Sequence, residues 1–381
     1  MLTVNGLAMD IGVPKEIKNH EYRVGLLPAS VNELVRLGHR VWVEASAGED
    51  AGFTDQAYVQ AGATMVATAQ DVFDAGSLII KVKEPQPDEC MRLGPQHTLF
   101  TYLHLAPDRV QTEALMASGA TAIAYETVTD ATGRLPLLAP MSEVAGRMSI
   151  QAAAMCLERA RGGKGILLGG VPGVERARVV ILGGGVVGRH AASMAVGLGA
   201  DVTVLDRSLP VLRQLDDHFG VAIQTRFSTF DTLNTVLNTA DVVIGSVLIP
   251  GASAPKLVSA EQVDQLEEGT VLVDVAIDQG GCFETSRPTT HQDPIFKVGG
   301  VVHYCVANIP GAVPKTASAA LNQATLPFVL ALANKGTDQA LKDDRHLRDG
   351  LAVYRGALVA EAAAEAHQLT LTSLADIGLS V

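Results

Sequence analysis

The chain has 381 residues and a formal net charge of −12, from 41 acidic against 29 basic side chains. Nearly half of it is hydrophobic (48%), which excludes wholesale disorder. The acidic balance, with no run of lysine or arginine, argues against nucleic-acid binding, which needs a basic face to displace counterions from phosphates. The opening residues lack a secretory pattern, and apolar runs such as 326–333 are too short to span a bilayer. Four scattered cysteines (Cys90, Cys156, Cys282 and Cys305) without C-x-x-C spacing point to a reducing, cytoplasmic setting with no disulfide framework.

Residues 1–9 are expected to be dispensable, with Met9 an alternative start, because the first strand-like segment begins at Asp10. Strand patterns at 40–44, 77–82, 97–103 and 121–125 alternate with helical stretches near 28–37, 54–61 and 107–118. Such alternation predicts right-handed crossovers and a parallel sheet. Beyond Pro140, residues 142–161 read as one long connecting helix capped by Ser142 and stopped by Gly162-Gly163. A glycine-rich loop at 165–174 precedes a second alternating set, with strands at 178–182, 201–205, 222–226, 241–247, 270–276 and 301–306. After Asn308 the pattern is mostly helical to about residue 368, a tail expected to fold back onto the first domain.

The sharpest motif is Gly183-Gly184-Gly185-Val186-Val187-Gly188, which fits G-x-G-x-x-G. An apolar strand leads into it, a helical stretch follows, and a second strand ends in Asp206. Gly183 suits the tight turn, Gly185 lets backbone amides approach a pyrophosphate, and Gly188 lets the helix sit close on the strand. The helix N-terminus offers free amides and partial positive charge to phosphates. Asp206 is placed to accept the ribose hydroxyls and repel a 2′-phosphate, favouring NAD; Arg207 beside it leaves room for NADP. The chain is therefore read as α/β, two doubly wound domains, with a central Rossmann NAD-binding domain (142–308) inserted into a discontinuous substrate domain (1–141 and 309–381).

Polar residues interrupt the apolar strands of the first domain. Lys81 and Lys83 alternate at one strand end, where the first reads more readily as a solvated cap than as a site residue. His104 ends another strand and is either catalytic or a hydrogen-bonded structural residue. Arg23 could hold a carboxylate through two parallel hydrogen bonds, or simply pair with Glu16 or Glu21. In the second domain Asp274 and Asp278 bracket Val275-Ala276-Ile277, with the outer Asp278 the better functional candidate and Asp274 structural. His303, Cys305 and Cys282 could be drawn as a metal site, but their spacing matches none, so no metal is expected.

Taken together, the segments Ile11-Gly-Val-Pro-Lys-Glu, Lys81-Val-Lys-Glu-Pro, Leu138-Ala-Pro-Met-Ser-Glu, Gly169-Gly-Val-Pro-Gly-Val, the glycine fingerprint, Val273-Asp-Val-Ala-Ile-Asp-Gln-Gly-Gly and Val306-Ala-Asn-Ile-Pro make the chain resemble the bacterial alanine dehydrogenases from about Met9 to near its end. The resemblance implies reversible, NAD-dependent oxidative deamination of L-alanine to pyruvate and ammonia. It assigns Arg23 and Lys83 to the substrate, His104 to general acid/base work and Asp278 to orienting water or ammonia. For the cofactor it points to Ser142, Val186, Val187, Asp206, Ser228, Val247, Leu248, Val275, Ala276, Ile277, Arg287, Val306, Ala307, Asn308 and Ile309. It also implies a homohexamer. The rival readings are an NAD(H)-binding transhydrogenase-like subunit, a saccharopine-type dehydrogenase and a non-catalytic NAD sensor.

Overall fold

The computed structural model describes residues 8–247 and 254–379. The chain divides into two compact units, Met1–Met141 with Val313–Val381, and Ser142–Ala312. In the first, strands β1 (Asp10–Val13), β2 (Arg40–Glu44), β3 (Thr64–Val66), β4 (Leu78–Ile80), β5 (Thr98–Thr101) and β6 (Thr121–Ala124) run parallel. Strands β4 to β6 are buried at every position. Alternate residues point to opposite faces, so Ile80, Phe100 and Ile123 enter one apolar cluster while Ile79, Leu99 and Ala122 enter another. Helix starts are secured by side chains: Thr54 caps Asp55–Gln60, Thr68 forms a capping box with Asp71, and Asp108 caps Arg109–Ser118.

The second unit contributes β7 (Arg178–Leu182), β8 (Asp201–Asp206), β9 (Gln224–Phe227), β10 (Val242–Gly245), β11 (Val271–Asp274), β12 (Ile295–Val298) and β13 (Val301–Tyr304). Their order is β12-β13-β11-β10-β7-β8-β9. Setting aside β12, which pairs antiparallel with β13, this is the doubly wound dinucleotide-binding order, with its reversal between β7 and β10. The chain then returns to the first unit and adds β14 (Leu351–Tyr354) and β15 (Ala357–Leu358), giving β15-β14-β6-β5-β4-β1-β2-β3. That sheet reverses between β1 and β4.

Three expectations are corrected. The helix expected from Ser142 to residue 161 runs Ala139–Cys156, with Ser142 inside it. Pro140 sits in the first turn, where its missing amide leaves no hydrogen bond unmade. The tail is not wholly helical, because β14 pairs antiparallel with β6 and turns through Arg355-Gly356 into β15. Both turn residues have positive φ, 49° and 85°, which suits a two-residue hairpin between twisted strands. Finally, Pro314–Lys335 forms a helix of 22 residues, long and apolar enough to cross a membrane by length and composition, unlike the short run 326–333 taken alone.

One face of that helix belongs to the first unit's core through Leu321, Val329 and Leu332. Its polar residues also reach the core. Ser318 Oγ accepts the Val24 amide at 3.2 Å, and Asn322 Oδ1 accepts the Leu27 amide at 3.0 Å while its Nδ2 donates to the Gly25 carbonyl at 2.6 Å. The C-terminal helix thus fixes the segment directly after Arg23. Leu332→Ala should cost about 2–5 kcal/mol of unfolding free energy in urea titrations. Gln323→Ala, on the exposed side, should stay within about 0.5 kcal/mol of the parent.

Candidate active site

In open α/β sheets ligands bind beyond the carboxyl ends of the strands, where the strand order reverses. At the reversal of the second sheet, β7 passes into a turn at Gly183, whose φ is +99°. The helix Val186–Gly197 begins behind it, capped by Gly185. A Cβ on Gly188 would lie 1.8 Å from the Gly183 carbonyl oxygen, so only glycine lets helix and turn meet there. A Cβ on Gly185 would meet nothing within 4 Å, because space opens over this turn. The first-turn amides of the helix have no carbonyl partners within it and are available to an anion. An open cradle over orphan amides fits a pyrophosphate.

Asp206 ends β8 beside this turn. Its Oδ2 accepts the Gly184 amide and its Oδ1 the Ser208 amide, both at 2.7 Å, while Arg207 is exposed. Ser228 is tied to the same strand end through its amide and the Asp206 carbonyl, 2.9 Å apart. Ser246, which sequence reasoning missed, donates to the carbonyls of Leu182 and Gly183 at 2.8 and 2.9 Å and braces the turn. Its signal was a hydroxyl immediately after the apolar strand β10.

The other cofactor candidates of this unit are spread over several loops. Val247 approaches the Gly183 turn, and a Cβ on that glycine would lie 2.8 Å from its Cγ2. Val275 is half-buried, while Ala276 and Ile277 are buried. Asp278 is exposed in the short turn Ile277–Gln279. Asp274 is fully buried, and burial raises its pKa. It accepts the amides of Ala276, Cys282 and Phe283 and the Ser286 hydroxyl, a structural role. Arg287 stacks over Phe296 at 4.2 Å. Val306 bridges to Thr289, Ala307 donates to the Thr289 carbonyl, Asn308 has a φ of +59° and Ile309 is buried. Ser142 is half-buried within its helix, and Leu248 lies outside the described residues.

His303, once drawn with Cys282 and Cys305 as a metal set, is fully buried. Its Nδ1 lies 3.1 Å from the Val301 carbonyl and must donate to it, leaving Nε2 to accept from Thr285 at 2.7 Å. Cys282 Sγ donates to the Val247 carbonyl and Cys305 Sγ to Ser286 Oγ. Among the described residues, no group of His, Cys, Asp or Glu is placed to hold a metal.

The first unit gathers its polar residues at the carboxyl edge of β1, β4, β5 and β6. Arg23 is 2% exposed and doubly bonded to Glu21, through Nε at 2.6 Å and Nη2 at 2.5 Å. Burial opposes its charge, but the Glu21 carboxylate more than offsets this and raises its pKa. Lys81 is no solvated cap: fully buried, it lies 3.0 Å from Glu16 and 2.7 Å from Glu89. Burial pushes the Glu16 carboxyl up to about 7, against the pull of Lys81. Lys83, two residues on, is half-buried.

His104 follows β5 with a positive φ of 49°, rare for a non-glycine residue and a mark of a constrained site. Its side chain is 44% exposed, and its ring lies parallel to Tyr102 with centroids 5.9 Å apart. Glu126, at the end of β6, holds this loop by accepting the amides of Leu103 at 3.2 Å and His104 at 2.6 Å. It also lies 3.9 Å from His104 Nδ1. Sequence reasoning missed Glu126, since nothing local links it to a histidine 22 residues earlier.

Residues 12–145 match the family model for the alanine dehydrogenase/PNT N-terminal domain, and residues 149–361 match that for its C-terminal domain. The chain belongs to the alanine dehydrogenase/PNT family. It is 57% identical to an alanine dehydrogenase of Halomonas elongata, over 97% of this chain and all of that one. Among solved structures, an L-alanine dehydrogenase superposes with a TM-score of 0.92 at 53% identity, covering 94% of this chain and 99% of that one. A transhydrogenase from Sinorhizobium meliloti gives 0.80 at 26%, covering 92% and 100%. A family of oxidoreductases implies a nicotinamide cofactor, and the open turn at Gly185 leaves room for a pyrophosphate.

Two outcomes follow. Gly185→Ala should fold with a wild-type melting temperature but weaken cofactor binding in fluorescence titrations, whereas Gly188→Ala should destabilise the fold itself. For His303, burial lowers the pKa below the ordinary 6.5. Below that pH the unfolded chain takes up a proton that the buried ring refuses, so His303 erodes stability as pH falls. His303→Gln should therefore lose less melting temperature than the parent between about pH 7.5 and 5.5.

Proposed function

We infer that this chain oxidises L-alanine to pyruvate and ammonia with NAD⁺ as acceptor and catalyses the reverse amination. The observation that carries this reading is the likeness to an L-alanine dehydrogenase structure over nearly the whole length of both chains. The preference for NAD rests on Asp206, whose carboxylate at the end of β8 would accept ribose hydroxyls and repel a 2′-phosphate. When bound, the nicotinamide would supply the hydride acceptor for the oxidation. Val186, Val187 and Gly188 offer amides to the pyrophosphate, and Ser142, Ser228, Val247, Leu248, Val275, Ala276, Ile277, Arg287 and residues 306–309 complete the cofactor's surroundings.

The substrate falls to the first unit. Arg23 supplies the fixed cation that the alanine carboxylate needs, its guanidinium held in plane by Glu21. Lys83 stabilises negative charge developing on the substrate oxygen. His104 moves protons at its imidazole as water adds to the imine and ammonia leaves, a role an imidazole performs by donating at one nitrogen and accepting at the other. Asp278 orients the water or ammonia. A methyl pocket discriminates only modestly, by about 1–3 kcal/mol per methylene, so glycine and serine are the competitors to examine. Residues 309–381 complete the substrate domain, and the enzyme acts in the cytoplasm as a homohexamer; buried, unpaired cysteines suit a reducing compartment.

Absorbance at the NADH band tests the reading directly, with NAD⁺ and L-alanine beside glycine, serine, glutamate and D-alanine, and with NADP⁺ in place of NAD⁺. Strong turnover confined to L-alanine and NAD⁺ is expected. Silence with every amino acid despite tight NADH binding would overturn it in favour of a transhydrogenase-like or sensing role. His104→Ala should lower turnover by about 100-fold or more while NADH affinity stays unchanged.

A further inference from the structure

Parallel strands that diverge leave main-chain amides without a neighbouring carbonyl, and such groups must find other partners when buried. This happens where β4 ends at Ile80 and the chain runs on through Lys81, Val82 and Lys83. Here the missing partner is a side chain. Glu16 Oε1 accepts the Val82 amide at 2.6 Å and the Lys83 amide at 3.4 Å. Its other oxygen, Oε2, is held at 3.0 Å by the Lys81 ammonium, which Glu89 holds from the other side at 2.7 Å. The Lys83 carbonyl accepts the Thr101 hydroxyl at 2.9 Å, and the Lys81 carbonyl accepts the Tyr125 hydroxyl at 3.0 Å. Glu16, Lys81, Glu89 and Thr101 are all buried. The Lys81 amide stays in the ladder, donating to the Phe100 carbonyl at 3.2 Å, so all three residues are held through their main chain, and Lys83 is the half-buried one among them.

We propose that Glu16 is a positioning residue for Lys83: its carboxylate, locked by Lys81, replaces the absent strand partner and sets the direction in which the Lys83 ammonium meets the substrate. This rests on the assignment of Lys83 to the substrate made above. Glu16 itself touches no reacting atom. It acts through the two amides it accepts, so a group that still accepts them should preserve activity, whereas its removal should loosen the lysine. A displacement of about 1 Å at a catalytic group lowers turnover about 100-fold.

The test compares Glu16→Ala, the triple variant Glu16→Gln with Lys81→Met and Glu89→Gln, Thr101→Val and Lys83→Ala in the full-length protein. The triple variant keeps the acceptor oxygen, removes the ammonium that a glutamine NH₂ group would otherwise face, and leaves no buried carboxylate without its cation. Glu16→Ala should lower kcat for L-alanine oxidation about 100-fold, with NADH affinity within about twofold, and the triple variant should recover to within about tenfold of wild type. A folded Glu16→Ala protein with wild-type kcat, or an equal loss in both Glu16 variants, would overturn the inference. If Glu16→Ala does not fold, Thr101→Val decides: it removes the anchor on the Lys83 carbonyl with little change of shape. A loss in kcat of about tenfold supports the positioning role, and an unchanged kcat overturns it. Lys83→Ala separates the two levels of the argument. Full activity there would remove the reading of Lys83, and the inference with it, whereas an inactive Lys83→Ala beside an active Glu16→Ala would refute only the positioning role.

Discussion

Carboxylates accepting main-chain amides at strand ends are the feature on which both candidate sites depend. A parallel sheet opens its crevice where adjacent strands part, and the parting strands leave amides with no ladder to join. Acidic side chains take up these amides at several strand ends. Glu16 receives those of Val82 and Lys83, Glu126 those of Leu103 and His104, Asp206 that of Gly184, and Asp274 those of Ala276, Cys282 and Phe283. Each closes a loop that carries a residue assigned to substrate or cofactor, or that borders one. Burying an acceptor without donors is unfavourable, and here the donors are the loop amides themselves. The same hydrogen bonds satisfy the carboxylates and fix the loops.

What the amino-acid sequence disclosed follows from how local each signal is. The glycine fingerprint was legible because strand, turn, helix and acid lie within about two dozen residues of one another and each type has one steric reason to be there. The parallel strands of the second sheet followed from the same alternation, but the antiparallel β12 was not expected. The acceptor roles of Glu16 and Glu126 were not legible. Glu16 lies 66 residues from Val82, and the bonds from Asn322 to Leu27 and Gly25 span 295 and 297 residues. No periodicity carries such pairings. Lys81 shows the consequence, since a lysine at a strand end is ordinarily solvated, and it is Glu16, 65 residues away, together with Glu89 that makes it an interior residue.

The misread elements have local causes. β3 is three residues long, too short for an alternation to register. The strands β14 and β15 were hidden in an alanine-rich tail whose composition favours helix, although the Arg355-Gly356 step between them carried a turn signal. Pro140 was taken as a boundary when it occupies the one part of a helix that tolerates proline.

The bonds from Ser318 and Asn322 to residues 24–27 also bear on how the chain is made. Synthesis proceeds from the N-terminus, and contiguous segments fold as they emerge. Ser142–Ala312 is contiguous and has all of its own strands once residue 312 is clear of the ribosome. The unit that carries Arg23 and Lys83 must wait with its central sheet incompletely covered until Pro314–Lys335 and β14 arrive. Its closing contacts have very long sequence separation, which slows their formation by loop-closure entropy. The unit Ser142–Ala312 is therefore complete on a nascent chain before the first unit, and a chain truncated after residue 312 would retain the former while losing the latter.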